Sequence, residues 1–194
     1  MKRLITTTAA IGCVLAWSAL GQTFQGADVG APTLAGSHTV SGDTITIIGG
    51  GHDIWDASDD FYYYYTKVEG NFDVQVQVQD LQGPNTWSKA ELMVRKPEND
   101  TAPPQGPDPF FAAMTTRTEG QNGVQIQWRA ARGVGADWAG WPSPRIRPNY
   151  PNCWLRVVRI GTTLIAYYSP DGENWHCLLY TSDAADDMQC VDLG

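Results

Sequence analysis

The sequence predicts an all-β protein whose antiparallel strands build a β-sandwich or jelly roll. Three observations carry that expectation. Strand-like runs recur at short intervals between turn signals, and the best of them alternate apolar and polar residues with period two. No stretch of useful length shows helical periodicity, which leaves sheet packing as the way to build a core.

The clearest run is Phe72-Asp-Val-Gln-Val-Gln-Val-Gln79. Phe72, Val74, Val76 and Val78 share one face, while Asp73, Gln75, Gln77 and Gln79 share the other, as in a sheet with one buried and one wet face. Val124, Ile126, Trp128 and Ala130 repeat the pattern against Gln125, Gln127 and Arg129, so Trp128 is expected inside and the polar row outside. In chain order the expected strands are 37–41, 44–48, 61–67, 71–79, 88–95, 109–117, 122–131, 153–160 and 163–169. Ser41-Gly-Asp43, Gly49-Gly-Gly51, Gln121-Asn-Gly123, Ile160-Gly-Thr162 and Asp171-Gly172 supply the turns. The short Arg159–Thr163 loop joins two of the strands as a hairpin does, and Ser169-Pro-Asp-Gly-Glu-Asn-Trp175 leads into one more. Lys96–Asp108 and Gly133–Asn152 read as irregular insertions, and long loops on a rigid scaffold are where specificity sits.

The two ends stand apart from this pattern. Lys2 and Arg3, a largely apolar stretch from Ile5 to Leu20, and the small pair Ala19 and Gly21 have the form of a secretory signal peptide over 1–21. Thr6–Thr8 and Ser18 interrupt the stretch, which falls short of the ~20 apolar residues that a membrane span needs. Residues 22–36 are rich in Gly, Ala and Pro and are expected to form a lead-in segment before a sandwich over 37–176. Cys177–Asp186 and Cys190–Gly194 resemble two fixed stretches of a translated sequencing adapter, with Asp187, Met188 and Gln189 where a variable index would sit. Residues 177–194 are therefore expected to be an artefact tail.

The chain has 194 residues and a formal net charge of −8. Setting aside Lys2 and Arg3 with the leader, and Asp183, Asp186, Asp187 and Asp192 with the tail, leaves 155 residues at −6. Only Cys153 of the four cysteines falls in that part, so no disulfide framework is expected, although an exported protein could form one. With 18% charged and 11% aromatic residues the chain is not disordered in composition, and its acidity argues against a nucleic-acid partner.

Several segments also carry a family resemblance. They are Asp28-Val-Gly-Ala-Pro32, Gly49-Gly-Gly-His-Asp-Ile-Trp55, Ser58-Asp-Asp-Phe61, Tyr65 and Gly70-Asn-Phe-Asp73. Trp87-Ser-Lys-Ala-Glu-Leu-Met-Val-Arg95, Trp154-Leu-Arg-Val-Val-Arg-Ile-Gly161 and Tyr167-Tyr-Ser-Pro-Asp-Gly-Glu-Asn-Trp175 follow in order. Together they resemble the bacterial secreted concanavalin A-like domains described as "regulation of enolase" proteins, relatives of laminin-G-like and glucanase jelly rolls. The resemblance implies a concanavalin A-like sandwich over nearly all of 27–176. Members continue past the last hairpin with further strands, so it also implies C-terminal truncation, leaving an apolar groove or an unpaired strand edge.

Catalytic motifs are sparse. The Glu-x-Asp-x-x-Glu strand of related glucanases is absent, and Glu69, Glu91, Glu98, Glu119 and Glu173 are scattered. Glu91 alone sits mid-strand, facing Lys89 and Met93. Neither Gly-x-Ser-x-Gly nor His-Glu-x-x-His occurs, and His38, His52 and His176 lie far apart. Asp53, Asp56, Asp59 and Asp60 crowd one loop, where Asp53, Asp56 and Asp59 could hold Ca²⁺ or simply cap turn amides. No other cofactor is implied.

Aromatic residues point to sugar binding, because pyranose rings stack on exposed aromatic faces. Trp55, Trp87, Trp154 and Trp175 lie in the family-like segments and are expected in the core. Trp138 and Trp141 sit in a Gly- and Pro-rich loop beside Arg145 and Arg147, where they either fold onto their own loop or meet a ligand. Tyr63 and Tyr65 are expected to follow Phe61 inward, with Tyr62 and Tyr64 on the wet face beside the glutamine rows. The candidate carbohydrate contacts are thus Trp138, Trp141, Arg145, Tyr62 and Tyr64. The expected function is a secreted, non-catalytic accessory module that binds a polysaccharide or glycan. A glycoside hydrolase with carboxylates paired across strands, and a protein-interaction or cell-surface structural domain, stand as alternatives, because this fold hosts all three.

Overall fold

The computed structural model describes residues 10–11, 23–99, 102–117, 123–139 and 146–181. In chain order the strands are β1 (Ala10–Ile11), β2 (Gln25–Val29), β3 (Leu34–Ser41), β4 (Thr44–Gly50), β5 (Phe61–Tyr65), β6 (Phe72–Gln77) and β7 (Lys89–Arg95). They continue with β8 (Phe110–Thr116), β9 (Gln125–Arg129), β10 (Asp137–Ala139), β11 (Trp154–Ile160), β12 (Thr163–Ser169) and β13 (His176–Thr181). No helix occurs among the described residues.

The protein is all-β and every strand pair is antiparallel. Two four-stranded sheets, β10-β9-β8-β7 and β13-β12-β11-β6, are accompanied by the smaller sheets β1-β4-β3 and β2-β5. The expected alternation holds in β6: Phe72 and Val76 are buried, Val74 packs beside them, and Asp73 is exposed. One core cluster joins the inner rows of both four-stranded sheets. Ala90, Leu92, Phe111, Ala113 and Ile126 come from one, and Phe72, Val76, Leu155, Val157 and Ala166 from the other. Cys153 lies fully buried in it, and burial pushes its thiol up to about 12.

All nine expected strands form, with ends shifted by a few residues. Four more appear. Residues 25–29, inside the stretch expected as a lead-in segment, pair with β5. Ala10–Ile11, inside the expected leader, pairs with Ile47 and Ile48 of β4. The short β10 lies in the second insertion and pairs with β9. The strand expected after Trp175 is β13, which runs beyond His176, pairs along β12 and buries Leu178 in the shared core. The edge of β12 is thereby covered.

The turn before β13 shows why its sequence is so particular. Asp171 accepts hydrogen bonds from the backbone amides of Glu173 and Asn174 and from the Asn174 side chain, while the Ser169 hydroxyl accepts from Gly172. Led by the bond from the Asn174 side chain, these donors hold the Asp171 carboxyl well below the usual range. Gly172 has φ +80°, and a Cβ there would stand 2.9 Å from the Trp154 ring, so both conformation and space require glycine.

Two expectations about faces are corrected. Gln125, Gln127 and Arg129 are not wet: they are 2%, 2% and 1% exposed. Residues 51–60 and β5 lie against that side of the sheet, so a strand that alternates in sequence is buried on both faces. Trp87 is not a core residue, at 44% exposed. Trp154 is buried as expected, and Trp128, half-buried, packs against the core.

Candidate functional site

The second face of the β10-β9-β8-β7 sheet, turned away from the shared core, gathers the chemistry. Strand register sets its residues in ranks. Arg95, Phe110 and Arg129 form one rank, and Met93, Ala112, Gln127 and Trp138 the next. Glu91, Met114 and Gln125 form the third, with Lys89 and Thr116 beyond.

The first rank is closed by Asp59. Arg95 Nη1 reaches its Oδ2 at 2.6 Å and Arg129 Nη2 its Oδ1 at 2.6 Å, with all three side chains out of solvent. Both guanidiniums lie over the Phe110 ring, at 5.3 and 5.0 Å from its centroid. Other N–H groups of the two, Arg95 Nε excepted, donate to backbone carbonyls of three loops: Trp55 and Asp56, Gly106 and Asp108, and Val134. These bonds offset the cost of burying the charges and fix the loops that border the face.

Several polar atoms of this face are left unpaired. Glu91 Oε1 and Oε2, Gln127 Oε1, Thr116 Oγ1 and Arg95 Nε are all buried without a hydrogen-bond partner. All five belong to this one face. Orphaned buried polar atoms cost roughly 1–3 kcal/mol each, so their concentration is a sign of a surface built to meet something. Glu91 as a residue is half-buried, yet both carboxylate oxygens are shielded. Its pKa is pushed up to about 8, chiefly because burial removes water from the charged form; Asp59 and Asp53 add to the rise, and Lys89 and Arg95 oppose it.

An open groove of about 1760 Å³ runs over Glu91, Arg95 and Gln127. Its walls include Trp55, Trp87 and Trp138, with Glu91, Gln125 and Gln127 among the polar groups. Trp138 is 39% exposed and stands opposite Gln127 through β10–β9 pairing. Lys89 seals one border: it donates to the Ile54 carbonyl at 2.7 Å, pairs with Asp53 at 2.7 Å, and lies 5.7 Å from the Trp55 ring centroid.

Comparisons with protein-family models, with curated proteins and with solved structures give no match.

Of the residues expected to bind sugar, Trp138 lines the groove. Trp141 and Arg145 lie outside the described residues. Tyr62 and Tyr64 also line the groove but are not beside the glutamine rows of β6. They pack on Ile45 and Ile47; the Tyr62 hydroxyl is 2.8 Å from His38 Nδ1, and Tyr64 stacks on Phe24. Tyr63 and Tyr65 stack with centroids 4.9 Å apart, and Tyr63 donates to the Met93 carbonyl.

The three aspartates expected to share Ca²⁺ are separated in role. Asp53 caps the Ile54 amide at 2.7 Å and pairs with Lys89, Asp59 is held by two arginines, and Asp56 contributes its carbonyl to Arg129. Among the described residues no group of three His, Cys, Asp or Glu side chains could hold a metal ion. Sequence reasoning missed Arg95, Gln127 and Arg129. The available signal was charge: two arginines at strand ends and an aspartate-rich loop in a chain with few charges.

Proposed function

We propose that this chain is a secreted carbohydrate-binding module, a β-sandwich of the concanavalin A-like kind, with its glycan lying along the second face of the β10-β9-β8-β7 sheet. The observation that carries this reading is one open groove whose wall exposes the indoles of Trp87 and Trp138 beside polar side chains. A pyranose ring has apolar C–H faces and a rim of hydroxyls. It matches a wall that offers Trp138 and Trp87 for stacking, with Gln82, Asn85 and Gln127 among its polar lining. The leader-like residues 1–21 support export.

Affinity electrophoresis through gels of soluble neutral polysaccharides tests the reading. Wild type should be retarded by at least one glycan, Trp138→Ala and Gln127→Ala should migrate freely, and Arg156→Ala should behave as wild type. Arg156 serves as the control because it lies on β11 and pairs with Asp73 outside the groove. Free migration of the wild type in every gel, or retardation indifferent to Trp138 and Gln127, overturns it.

A hydrolase reading draws on the burial of the Glu91 carboxyl, which pushes its pKa up to about 8, in the direction a general acid needs. It needs a second carboxylate, and the acidic neighbours Asp53 and Asp59 are already engaged by Lys89 and by the two arginines. Reducing-sugar release from the same glycans, abolished by Glu91→Gln, would decide for it.

A further inference from the structure

Five of the chain's 13 lysines and arginines line the groove, against four of its 21 acidic residues. Part of that positive charge is already spent. Lys89 is paired with Asp53, Arg95 with Asp59, and Lys67 has contacts of its own. Lys96 and Arg159 stand apart. Among the described residues neither has an ion pair; Lys96 is exposed, and the Arg159 side chain makes one bond, from Nε to the Gly161 carbonyl at 3.0 Å. That bond steadies the guanidinium and leaves both Nη groups available. Of the acids in the groove, Asp53 is held by Lys89, Asp60 accepts from the Ala31 amide, the Glu91 oxygens are buried, and Glu69 is exposed.

Strand alternation explains where the two cations lie. Leu155, Val157 and Arg159 follow one another along one side of β11, and Leu92, Val94 and Lys96 along one side of β7. A bond from the Lys96 amide to the Pro109 carbonyl carries the β7–β8 ladder one residue further. Leu155, Val157, Leu92 and Val94 all belong to the shared core, so each cation ends an apolar row that faces it, and both line the groove. Cations placed at the rim of a core without a carboxylate to hold make a site for an anion. The Arg159 fork suits a carboxylate in particular.

We propose that the glycan of this groove carries uronic-acid branches, its neutral chain stacked on Trp138 and Trp87 and its branch carboxylates paired with Arg159 and Lys96. This rests on the glycan-binding reading above and adds the charge of the ligand to it. The net charge of −8 opposes a polyanion over the rest of the surface, so the two cations also set where an acidic branch lies.

Affinity electrophoresis of the full chain tests this with glucuronoxylan beside the same polymer whose carboxyl groups have been reduced to alcohols, with and without added salt. Wild type should bind the acidic polymer about 10-fold more tightly than its reduced twin, as two exposed ion pairs allow, and salt should narrow the gap. Arg159→Gln and Lys96→Gln should each lose about 3-fold on the acidic polymer and nothing on the reduced one, with far-ultraviolet circular dichroism showing each variant folded. Trp138→Ala should weaken both. Equal retardation by the two polymers overturns this proposal alone, as does a gap that survives removal of both cations together. So does retardation of Trp138→Ala by dextran sulfate as strong as that of wild type by glucuronoxylan, which would mark mere ion exchange. Free migration through both polymers while a neutral glycan retards the protein also overturns it alone. Free migration through these and every neutral gel overturns the binding reading and this proposal with it.

Discussion

Glu91→Gln should stabilise the protein at alkaline pH, which is an unusual outcome for removing a charge from a folded domain. In the folded state the carboxyl titrates at about 8 instead of its ordinary 4.5. A group raised on folding holds its proton longer in the native state, so the native state binds more protons than the unfolded chain between those two values. The associated stability is fully present below pH 4.5, falls through the interval, and is gone above about pH 8. That rise corresponds to on the order of 5 kcal/mol, a large part of the ~5–15 kcal/mol that holds a domain together. Urea denaturation followed by tryptophan fluorescence at pH 5, 7 and 9, on wild type and Glu91→Gln, isolates the effect because other titrating groups are common to both. The two proteins should differ least at pH 5, and the variant should be more stable by a few kcal/mol at pH 9. A stability difference that does not change with pH would refute the burial argument for Glu91.

The buried charge cluster gives a second prediction: Asp59→Asn leaves Arg95 and Arg129 short of their counter-charge and should cost about 3–5 kcal/mol, read as a fall in Tm. Asp73→Asn breaks a solvent-exposed pair with Arg156 and should cost about 1 kcal/mol or less, so equal effects from the two would contradict the cluster's role. Gly172→Ala should lower stability by roughly 1–3 kcal/mol through its positive φ and the Trp154 ring. Leu178→Ala should cost about 2–5 kcal/mol if β13 belongs to the core; a near-zero value would show that the chain after His176 adds nothing to the fold. Calcium and EDTA should leave Tm unchanged to within a degree or so by the linkage of ligand binding to stability, because Asp53, Asp56 and Asp59 do not converge; a rise of several degrees with calcium would contradict that geometry.

The strands were legible because turn residues punctuate them and because Phe72–Gln79 and Val124–Ala130 alternate. The second burial of β9 was not. Gln125 and Gln127 look like a wet face until residues 51–60 and β5, far away in sequence, are laid against that side. Asp59 shows the same limit: its partners lie 36 and 70 residues away, and a local cluster of aspartates gives no hint that one of them is committed to arginines. Trp138 stands out in sequence as an indole in a Gly- and Pro-rich loop, but its position opposite Gln127 depends on β10, a three-residue strand that such a loop conceals. Glu91 stood out as the lone mid-strand glutamate. What the sequence withheld was its environment, since the absence of donors around a carboxylate is a property of packing. Beyond His176 the apolar residues at 178–180 were set aside on their resemblance to an adapter, yet Leu178 completes a buried row.

The most direct test of the account is an NMR titration of the tryptophan indole N–H signals with oligosaccharides cut from whichever neutral glycan retards the protein. Shifts confined to Trp138 and its groove neighbours Trp55 and Trp87, with Trp154 and Trp175 unmoved, are the predicted result. Shifts at Trp154 or Trp175 with Trp138 silent would contradict it.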